Sequence, residues 1–461
     1  MIAMQRAGEQ ISETGAAARY AEAVPRYTSY PTAPHFHAGV TGETFRGWLG
    51  ETGEEEALSL YVHIPFCDRL CWFCACHTKM TRRYEPVAAF LDALFCEIRT
   101  VGDILKGRGR VRALHFGGGS PTMLRADDIV RLGAALKRAF HFANDAEISV
   151  ELDPNDMDEA RFDALAEIGM TRASLGVQDF DPRVQKAINR EQTFEQTKAV
   201  VDGVRARGVR SVNLDLLYGL PHQTCESVAV TIRHALTLSP DRIALFGYAH
   251  VPWFKKHQTM IDEAWLPGPE ERFEQQQETA RIIREAGYEA IGLDHFAKPD
   301  DPLAVAARQG RLFRNFQGYT EDACRTLIGL GPSSVSRLPQ GYAQNMPATT
   351  QYERMVREGN LATVRGIALS DEDHARAWVI ERLMCDFAFS GDEAVRRFGE
   401  CGRRIVAEAR ARLQEPGSAA GLVEEAGVFT VREEARPLVR STAALFDQYL
   451  KQGGARHSAA V

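Results

Sequence analysis

Along residues 58–295, hydrophobic and polar positions fall into a repeating pattern: short β-rich runs alternate with longer amphipathic stretches. The short runs at 58–64, 112–116, 147–152, 172–177, 211–218 and 242–248 predict strands. The stretches at 86–105, 126–140, 193–207 and 226–238 predict helices. Each strand is followed by a helix, a repeat that builds a parallel sheet. Six such units suit a partial (β/α)6 barrel better than a closed eightfold one. A seventh short run, 288–293, is expected to extend an edge.

Unusual residues fall at matching places in this repeat. Cys67 follows the first strand and Gly117-Gly118-Gly119 the second; Glu151 ends the third and Gln178 follows the fourth. Asp215 lies in the fifth, and Tyr248-Ala249-His250 closes the sixth. In parallel barrels the C-terminal strand ends share one mouth, where chemistry is done. Six separate segments are therefore expected to converge on one cavity. Taken singly each has a plainer role. A glycine triplet after a strand is commoner in phosphate and nucleotide sites. Arg190 alone reads as a surface salt bridge, Phe73 as a core aromatic, Asp215 as a cap and Gln178 as a strand-end hydrogen bond.

From Ser370 onward the pattern is mainly helical, with a hairpin expected at 421–432, an arrangement resembling a winged helix. Such folds often bind DNA, so charge is the test. Residues 371–461 hold 15 Asp and Glu against 13 Lys and Arg, a net of −2, which is no footprint for nucleic acid. The whole chain of 461 residues carries −7 and 44% hydrophobic residues, ordinary for a soluble protein with no pull toward anionic partners. No apolar run approaches a membrane span, and the first 24 residues lack a signal-like core, so a cytoplasmic location is expected. The end, 453–461, is expected to fray. The boundaries expected are an N-terminal arm over 1–50, a barrel with an extension over 51–365, and a helical domain over 366–461.

Four of nine cysteines lie between Cys67 and Cys76, in YVHIPFCDRLCWFCACHTKMTR. An odd, clustered set reads as metal binding, not as a disulfide framework. Thiolates suit iron–sulfur clusters and zinc. A 4Fe–4S cluster normally takes four cysteines. Using Cys67, Cys71 and Cys74 alone leaves one iron open to a ligand. Structural zinc sites usually pair two separated knuckles, and no second knuckle follows here. Cys76, separated from Cys74 by one residue, is poorly spaced for a fourth ligand.

The C-x3-C-x2-C loop after a first strand resembles the radical S-adenosylmethionine superfamily. YVHIPFC with the added C-x-C resembles one branch, the oxygen-independent coproporphyrinogen III oxidases of haem biosynthesis. The likeness continues through PRYTSYPTA (25–33), HFGGGSPT (115–122), ELDP (151–154), GVQDF (176–180), NREQT (189–193) and NLDLLYGLP (213–221). It runs on through YAHVPW (248–253), GLDHFAKPDD (292–301), RNFQGYT (314–320) and RGIALS (365–370), and so covers nearly the whole chain. Two departures stand out: Ala75 where the C-G-C form has glycine, and Glu321 where a second threonine is usual. The glutamate is expected to add negative charge near a region facing anions.

The resemblance implies a 4Fe–4S cluster on Cys67, Cys71 and Cys74 and two S-adenosylmethionine molecules. By motif match, Tyr61, Gly117, Glu151 and Val335 would contact the first, and Phe73, Gly118, Gly119, Gln178, Arg190, Asp215 and Ala249 the second. Arg190 would grip a ligand carboxylate with two parallel hydrogen bonds. Tyr61, His63 and Cys76 are the candidates for the reacting centre; His63 reads equally as a hydrogen-bonded core histidine and Cys76 as a small buried apolar residue. The implied substrate is coproporphyrinogen III, whose carboxylates would meet Arg26 with Tyr27 and Tyr30, or Arg314 near Phe316-Gln317-Gly318-Tyr319. A deoxyadenosyl radical would take hydrogen from a propionate β-carbon, and loss of CO2 and an electron would leave a vinyl group. A flavodoxin- or ferredoxin-like donor and a monomeric chain are expected. The rival readings are a relative that carries haem and one that opens the haem ring anaerobically; Cys76 and the PRYTSYPTA arm argue against the carrier.

Overall fold

The computed structural model describes residues 24–414 and 421–450. The expectations for residues 1–23 and for 453–461 lie outside the described residues.

Each of the six expected strands forms, and five of the six differ at one or both ends from the predicted bounds. The repeat runs β1 (Ala57–Ile64), α1 (Glu85–Leu105), β2 (Arg110–Gly118), α2 (Ala126–Ala139), β3 (Phe142–Leu152), α3 (Glu159–Ile168), β4 (Arg172–Gln178), α4 (Phe194–Ala206), β5 (Ser211–Tyr218), α5 (Cys225–Thr237) and β6 (Arg242–Gly247). Side chains of a strand alternate between faces, and here the alternation separates two environments. Leu58, Leu60, Val62 and Ile64 of β1 pack with Val87, Phe90, Leu91 and Leu94 of α1 in the main core. Ser59, Tyr61 and His63 take the opposite face. The same split sends Ile148, Val150 and Leu152 of β3, and Val212, Leu214 and Leu216 of β5, into that core. It leaves Glu147, Ser149 and Glu151, and Ser211, Asn213 and Asp215, toward the barrel interior. Two of the helices begin on capping boxes: Thr193 with Gln196 for α4 and Thr224 with Ser227 for α5 each satisfy free N–H groups reciprocally.

Beyond β6 come α6 (Pro269–Glu285), β7 (Glu289–Ile291) and β8 (His295–Ala297). The expected seventh run does extend the edge, but β8 lies between it and β6, antiparallel to both. The other edge holds a larger addition, β9 (Thr326–Leu330), β10 (Val335–Leu338), β11 (Gly341–Asn345) and β12 (Thr363–Ala368). The sheet order is β12-β11-β10-β9-β1-β2-β3-β4-β5-β6-β8-β7, twelve strands. Strands β9 and β1 to β6 are parallel, and antiparallel strands flank them on both sides. This is an open, partial barrel.

Near the N-terminal ends of β4 and β6 the interior is filled by ion pairs. Arg242 meets Asp301 at 2.8 Å and Glu321 at 2.7 Å; Arg172 meets Glu321 at 2.7 Å and Glu147 at 2.8 Å. Glu321 therefore does not face an anion site. It neutralises two buried guanidiniums at the end of the barrel opposite the cysteines, and they hold its carboxyl down at about 2 against burial.

The C-terminal part contains α7 (Asp371–Asp386), β13 (Ala388–Ser390), α8 (Gly391–Gln414), β14 (Leu422–Glu425) and β15 (Val428–Val431). The three strands form a small antiparallel sheet in the order β13-β15-β14, so the expected hairpin is present beside helices. Tyr27 and Tyr30 of the arm sit in its core with Val379, Leu383, Phe389 and Phe446. The Tyr27 hydroxyl donates to Asp447 at 3.1 Å and the Gln448 N–H to the Tyr30 hydroxyl at 3.2 Å. The arm thus runs from the barrel onto the C-terminal helices.

Candidate active site

The segment after β1 carries the cysteines, and its backbone is held from several sides. Trp72 N–H donates to Ile188 O at 2.9 Å, Asn189 Nδ2 to Leu70 O at 2.9 Å, and Thr81 N–H to Cys67 O at 2.9 Å. Residues after β6 clamp its other carbonyls: Gln258 Nε2 to Phe73 O at 2.9 Å, His257 Nε2 to Cys74 O at 2.7 Å, and Lys255 Nζ to Cys76 O at 2.8 Å. Such fixing presents the thiols in one geometry. All nine cysteines are free thiols.

Hydrogen-bond donors approach the sulfurs. Thr78 Oγ1 lies 3.0 Å from Cys67 Sγ, Arg190 Nη1 3.6 Å from Cys71 Sγ, and Cys76 N–H 3.3 Å from Cys74 Sγ. The Cys67, Cys71 and Cys74 thiols also feel one another electrostatically. Hydrogen bonds to thiolate sulfur tune an iron–sulfur cluster, so this donor set fits one. Hydrogen bonding to Cys76 brings the Cys74 thiol down to about 7, whereas the same partnership pushes Cys76 well up.

Tyr61 with His63, and His115 with Glu151, form two hydrogen-bonded pairs that a ring stack joins into one wall. His63 Nε2 lies 2.8 Å from His77 O and so donates; its Nδ1 then accepts from the Tyr61 hydroxyl at 3.0 Å. Burial lowers the imidazole to about 4, so it stays neutral with both nitrogens engaged. His115 stacks on Tyr61 with ring centroids 5.8 Å apart and reaches Ser149 at 2.6 Å and Glu151 Oε1 at 3.0 Å. Glu151 Oε2 accepts from Gly118 N–H at 3.2 Å. Burial opposes its ionisation, but the bonds from His115 and Gly118 outweigh it, and the carboxyl sits below its ordinary value.

The glycine triplet is demanded by this wall. A Cβ on Gly117 would meet Glu151 Oε1 at 2.6 Å, and one on Gly119 would meet Phe66 O at 2.5 Å. At Gly118 φ is +113° and a Cβ would strike the His63 ring at 2.6 Å, so glycine is required twice over. The residues that crowd the triplet are the protein's own.

On the opposite side, Gln178 has φ +67° beside a register shift in β4, a bulge of the kind that re-aims side chains near sites. Arg190, 8% exposed, donates Nη1 to Asp153 at 3.2 Å and Nη2 to Gly176 O at 2.7 Å, which leaves Nε as its unpartnered nitrogen. Asp215 accepts from Ser174 at 3.1 Å and Asn213 at 2.8 Å; burial and then Glu151 push its carboxyl up to about 6. Phe73 joins Leu217 and Tyr248 in a small apolar cluster, and Gln258 bridges Phe73 O to Ala249 O at 2.9 and 3.2 Å. Val335 lies farther out. Its side chain packs with Phe36, Tyr342 and Ile367, while its carbonyl backs Gly329, the register partner of Tyr61.

Sequence reasoning missed Lys255, His257 and Gln258, because a Lys-Lys-His run in a long loop reads as solvated surface. His115 carried no signal beyond its strand. Arg26 and Arg314 do meet, Arg314 Nη2 donating to Arg26 O at 3.3 Å, and they are joined by Arg272 and Arg440, which nothing in the sequence marked.

The Radical SAM superfamily model matches residues 61–235, which hold the end of β1, the three cysteines and β2 to β5. The oxygen-independent coproporphyrinogen III oxidase of Paracoccus denitrificans is 48% identical over 441 residues, 95% of this chain and 96% of that protein. Its counterpart in Escherichia coli K12 is 42% identical over 436 residues, 94% of each. The solved structure of the Escherichia coli coproporphyrinogen III oxidase, described as a radical SAM enzyme, superposes with a TM-score of 0.88 at 39% identity, covering 93% of this chain and all of that one. On identity, coverage and fold together, this chain belongs to the oxygen-independent coproporphyrinogen III oxidase family of radical S-adenosylmethionine enzymes.

Proposed function

We propose that this enzyme converts two propionate side chains of coproporphyrinogen III to vinyl groups, yielding protoporphyrinogen IX without oxygen. The observation that carries this reading is near-full-length relation to enzymes of that name, joined to a barrel mouth whose cysteine loop, carboxylates and glycines converge. Cys67, Cys71 and Cys74 hold the 4Fe–4S cluster. When bound, the reduced cluster and S-adenosylmethionine together supply a radical able to remove hydrogen from an unactivated carbon.

The chain's own part is to bind, orient and exclude water. Two S-adenosylmethionine molecules sit in the mouth. Tyr61, Gly117, Glu151 and the backbone at Val335 serve the first, and Phe73, Gly118, Gly119, Gln178, Arg190, Asp215 and Ala249 the second. Support for two sites is that Tyr61, Gly117, Glu151 and Val335 lie on β1 to β3 and the β10 edge, whereas Gln178, Arg190, Asp215 and Ala249 lie at β4 to β6, with Phe73, Gly118 and Gly119 on the β1–β2 side between them. Glu151 below its ordinary value suits a hydroxyl or ammonium partner, and Arg190 offers Nε. His63 acts by positioning, since it fixes the Tyr61 hydroxyl and the end of the cysteine loop. Cys76 stands beside the reacting centre.

The remaining parts of the reading are an arm over 1–50, a catalytic body over 51–365 and a helical domain over 366–461. A small acidic electron carrier of the flavodoxin or ferredoxin kind reduces the cluster of a monomeric, cytoplasmic enzyme. No helix among the described residues is long and apolar enough to cross a membrane, in keeping with that location.

An anaerobic assay with reconstituted cluster, reductant, S-adenosylmethionine and coproporphyrinogen III tests the reading. The expected products are 5′-deoxyadenosine, methionine, CO2 and protoporphyrinogen IX. Deoxyadenosine without a vinyl product would overturn the substrate and leave the radical chemistry standing.

A further inference from the structure

Four guanidinium groups from four separate stretches of the chain meet beyond the end of β6. Arg26 belongs to the arm, Arg272 to the first turns of α6, Arg314 to the short strand Phe313–Asn315, and Arg440 to the helix Val439–Ala444. Arg26 Nη2 donates to Gly247 O at 3.2 Å and Arg272 Nη2 to Tyr248 O at 2.8 Å. Arg314 Nη2 donates to Arg26 O at 3.3 Å and Arg440 Nε to Pro25 O at 3.1 Å. The acceptors of Arg26, Arg272 and Arg314 are backbone carbonyls, which orient a guanidinium without neutralising it. Among the described residues, Asp294 is the carboxylate that acts on Arg26, Arg314 and Arg440 alike, and it also accepts from His295 Nδ1 at 2.7 Å.

Arg314 carries the strongest sign. It is 7% exposed, its Nε and Nη1 are buried, and neither has a hydrogen-bond partner. Buried donors are normally satisfied, and two bare N–H groups on one arginine point to a missing acceptor. Its guanidinium lies 4.4 Å over the Tyr319 ring, which holds the plane and leaves the edge free. The cluster lies at the C-terminal end of β6: Arg26 and Arg272 bind the carbonyls of Gly247 and Tyr248, which immediately precede Ala249, and His295, beside Asp294, acts on Asp215.

We propose that Arg26, Arg272, Arg314 and Arg440 form a carboxylate pocket that grips propionates of the substrate other than the one reacting. The planar fork of arginine matches a carboxylate's two oxygens, and several forks from different elements suit a ligand carrying several carboxylates. Burial, reinforced by Arg26 and Arg314, lowers Arg440 to about 9; burial likewise lowers Arg26 and Arg272. Burial thus disfavours the charge on Arg26 and Arg272, which a bound carboxylate would restore, while Tyr319 and Asp294 hold the charge on Arg314 against burial. Through Arg440 the C-terminal helices become part of the active site, and through Arg26 so does the arm. This inference rests on the coproporphyrinogen reading.

The test is a fluorescence titration of the full chain, cluster reconstituted, with coproporphyrin III, the stable oxidised tetracarboxylate, and with its uncharged tetramethyl ester. Arg314→Gln and Arg26→Gln are each expected to weaken binding of the tetracarboxylate about tenfold to a hundredfold and leave the ester unchanged. Arg26→Gln is expected to unfold at or above the parent's temperature, because it removes a charge that burial disfavours, and Arg314→Gln a little below it, because Tyr319 and Asp294 favour that charge against burial. Should Arg314→Gln fail to fold, Arg314→Lys retains the charge without the fork and is expected to lose about tenfold. Unchanged affinity for the tetracarboxylate, or an equal loss for the ester, would overturn the pocket. If the parent makes vinyl product while the variants bind as it does, the pocket alone falls. If the parent makes none and binds acid and ester alike, the substrate reading falls with it.

Discussion

The two ends of the barrel are built from the same strands and the same alternation, yet they treat charge in opposite ways. At the N-terminal ends, Arg172 and Arg242 are answered by Glu147, Asp301 and Glu321 at 2.7–2.8 Å. At the C-terminal ends, Glu151 and Asp215 are met by His115, Ser174, Asn213 and a backbone N–H, with no Lys or Arg on either in the ion pairs above. Glu321 is held down at about 2 and Asp215 up at about 6. The closed end is balanced for stability. The open end keeps polar groups whose demands a ligand can complete, which is where function concentrates.

The most severe way to break the open end is Cys67→Ser, Cys71→Ser or Cys74→Ser. Each is expected to abolish 5′-deoxyadenosine and protoporphyrinogen IX and to lower bound iron, while the chain stays folded by circular dichroism. A variant that retains iron and deoxyadenosine would refute the cluster assignment. At the closed end the expected loss is in stability instead. Arg242→Met strands Asp301 and half of Glu321's pairing in a buried place, and should cost about 3–5 kcal/mol in urea unfolding. Activity per folded molecule should stay near the parent's, and a selective loss of activity would contradict the division between the ends.

The pH dependence separates the ends next. Glu321 ordinarily titrates at 4.5, and its folded value is lower, so its pairs stabilise fully above pH 4.5 and fade as pH falls toward 2. Asp215 ordinarily titrates at 3.8, and its folded value is higher, so the fold bears no cost below pH 3.8 and loses stability as pH rises toward 6. Each contribution is about 2–3 kcal/mol. Unfolding of the full chain between pH 3 and 7 should show Glu321→Gln flattening the acid limb. Asp215→Asn should remove the decline from 4 to 6, and identical profiles would sink the contrast.

Much of this was legible before any coordinates, for reasons that also mark where legibility stops. The six strands announced themselves because each βα unit is local, and the range 211–218 coincides with β5. The extension β9 to β12 escaped the βα repeat because β9 joins β1 in parallel from far along the chain, and β10 to β12 are short strands paired antiparallel. The charge of Glu321 was visible but its placement was not: it follows Gly318–Thr320, yet the chain turns there toward the far end of the barrel. The interior polar residues were readable as a set, since six strand ends share a mouth. Their grip on the cysteine loop through Lys255, His257 and Gln258 was not, because backbone carbonyls leave no mark in a sequence.

The smallest expected effect concerns Ala75, between Cys74 and Cys76, where the family pattern has glycine. Ala75 is exposed and is not among the residues with positive φ, so the backbone there makes no demand for glycine. Gly119 stands in contrast, since a Cβ there would press on Phe66 O at 2.5 Å. At a position whose conformation alanine accepts, the side chain acts through the unfolded chain, which it restricts. Ala75→Gly should therefore lower stability by about 0.4–1 kcal/mol in urea unfolding. Deoxyadenosine yield should stay within about twofold, because the residue is exposed and holds none of the bonds that fix the loop. A gain in stability would mean that alanine strains the loop. A large rise in yield would mean that the solvent side of the cysteine loop is as tightly specified as its inner side.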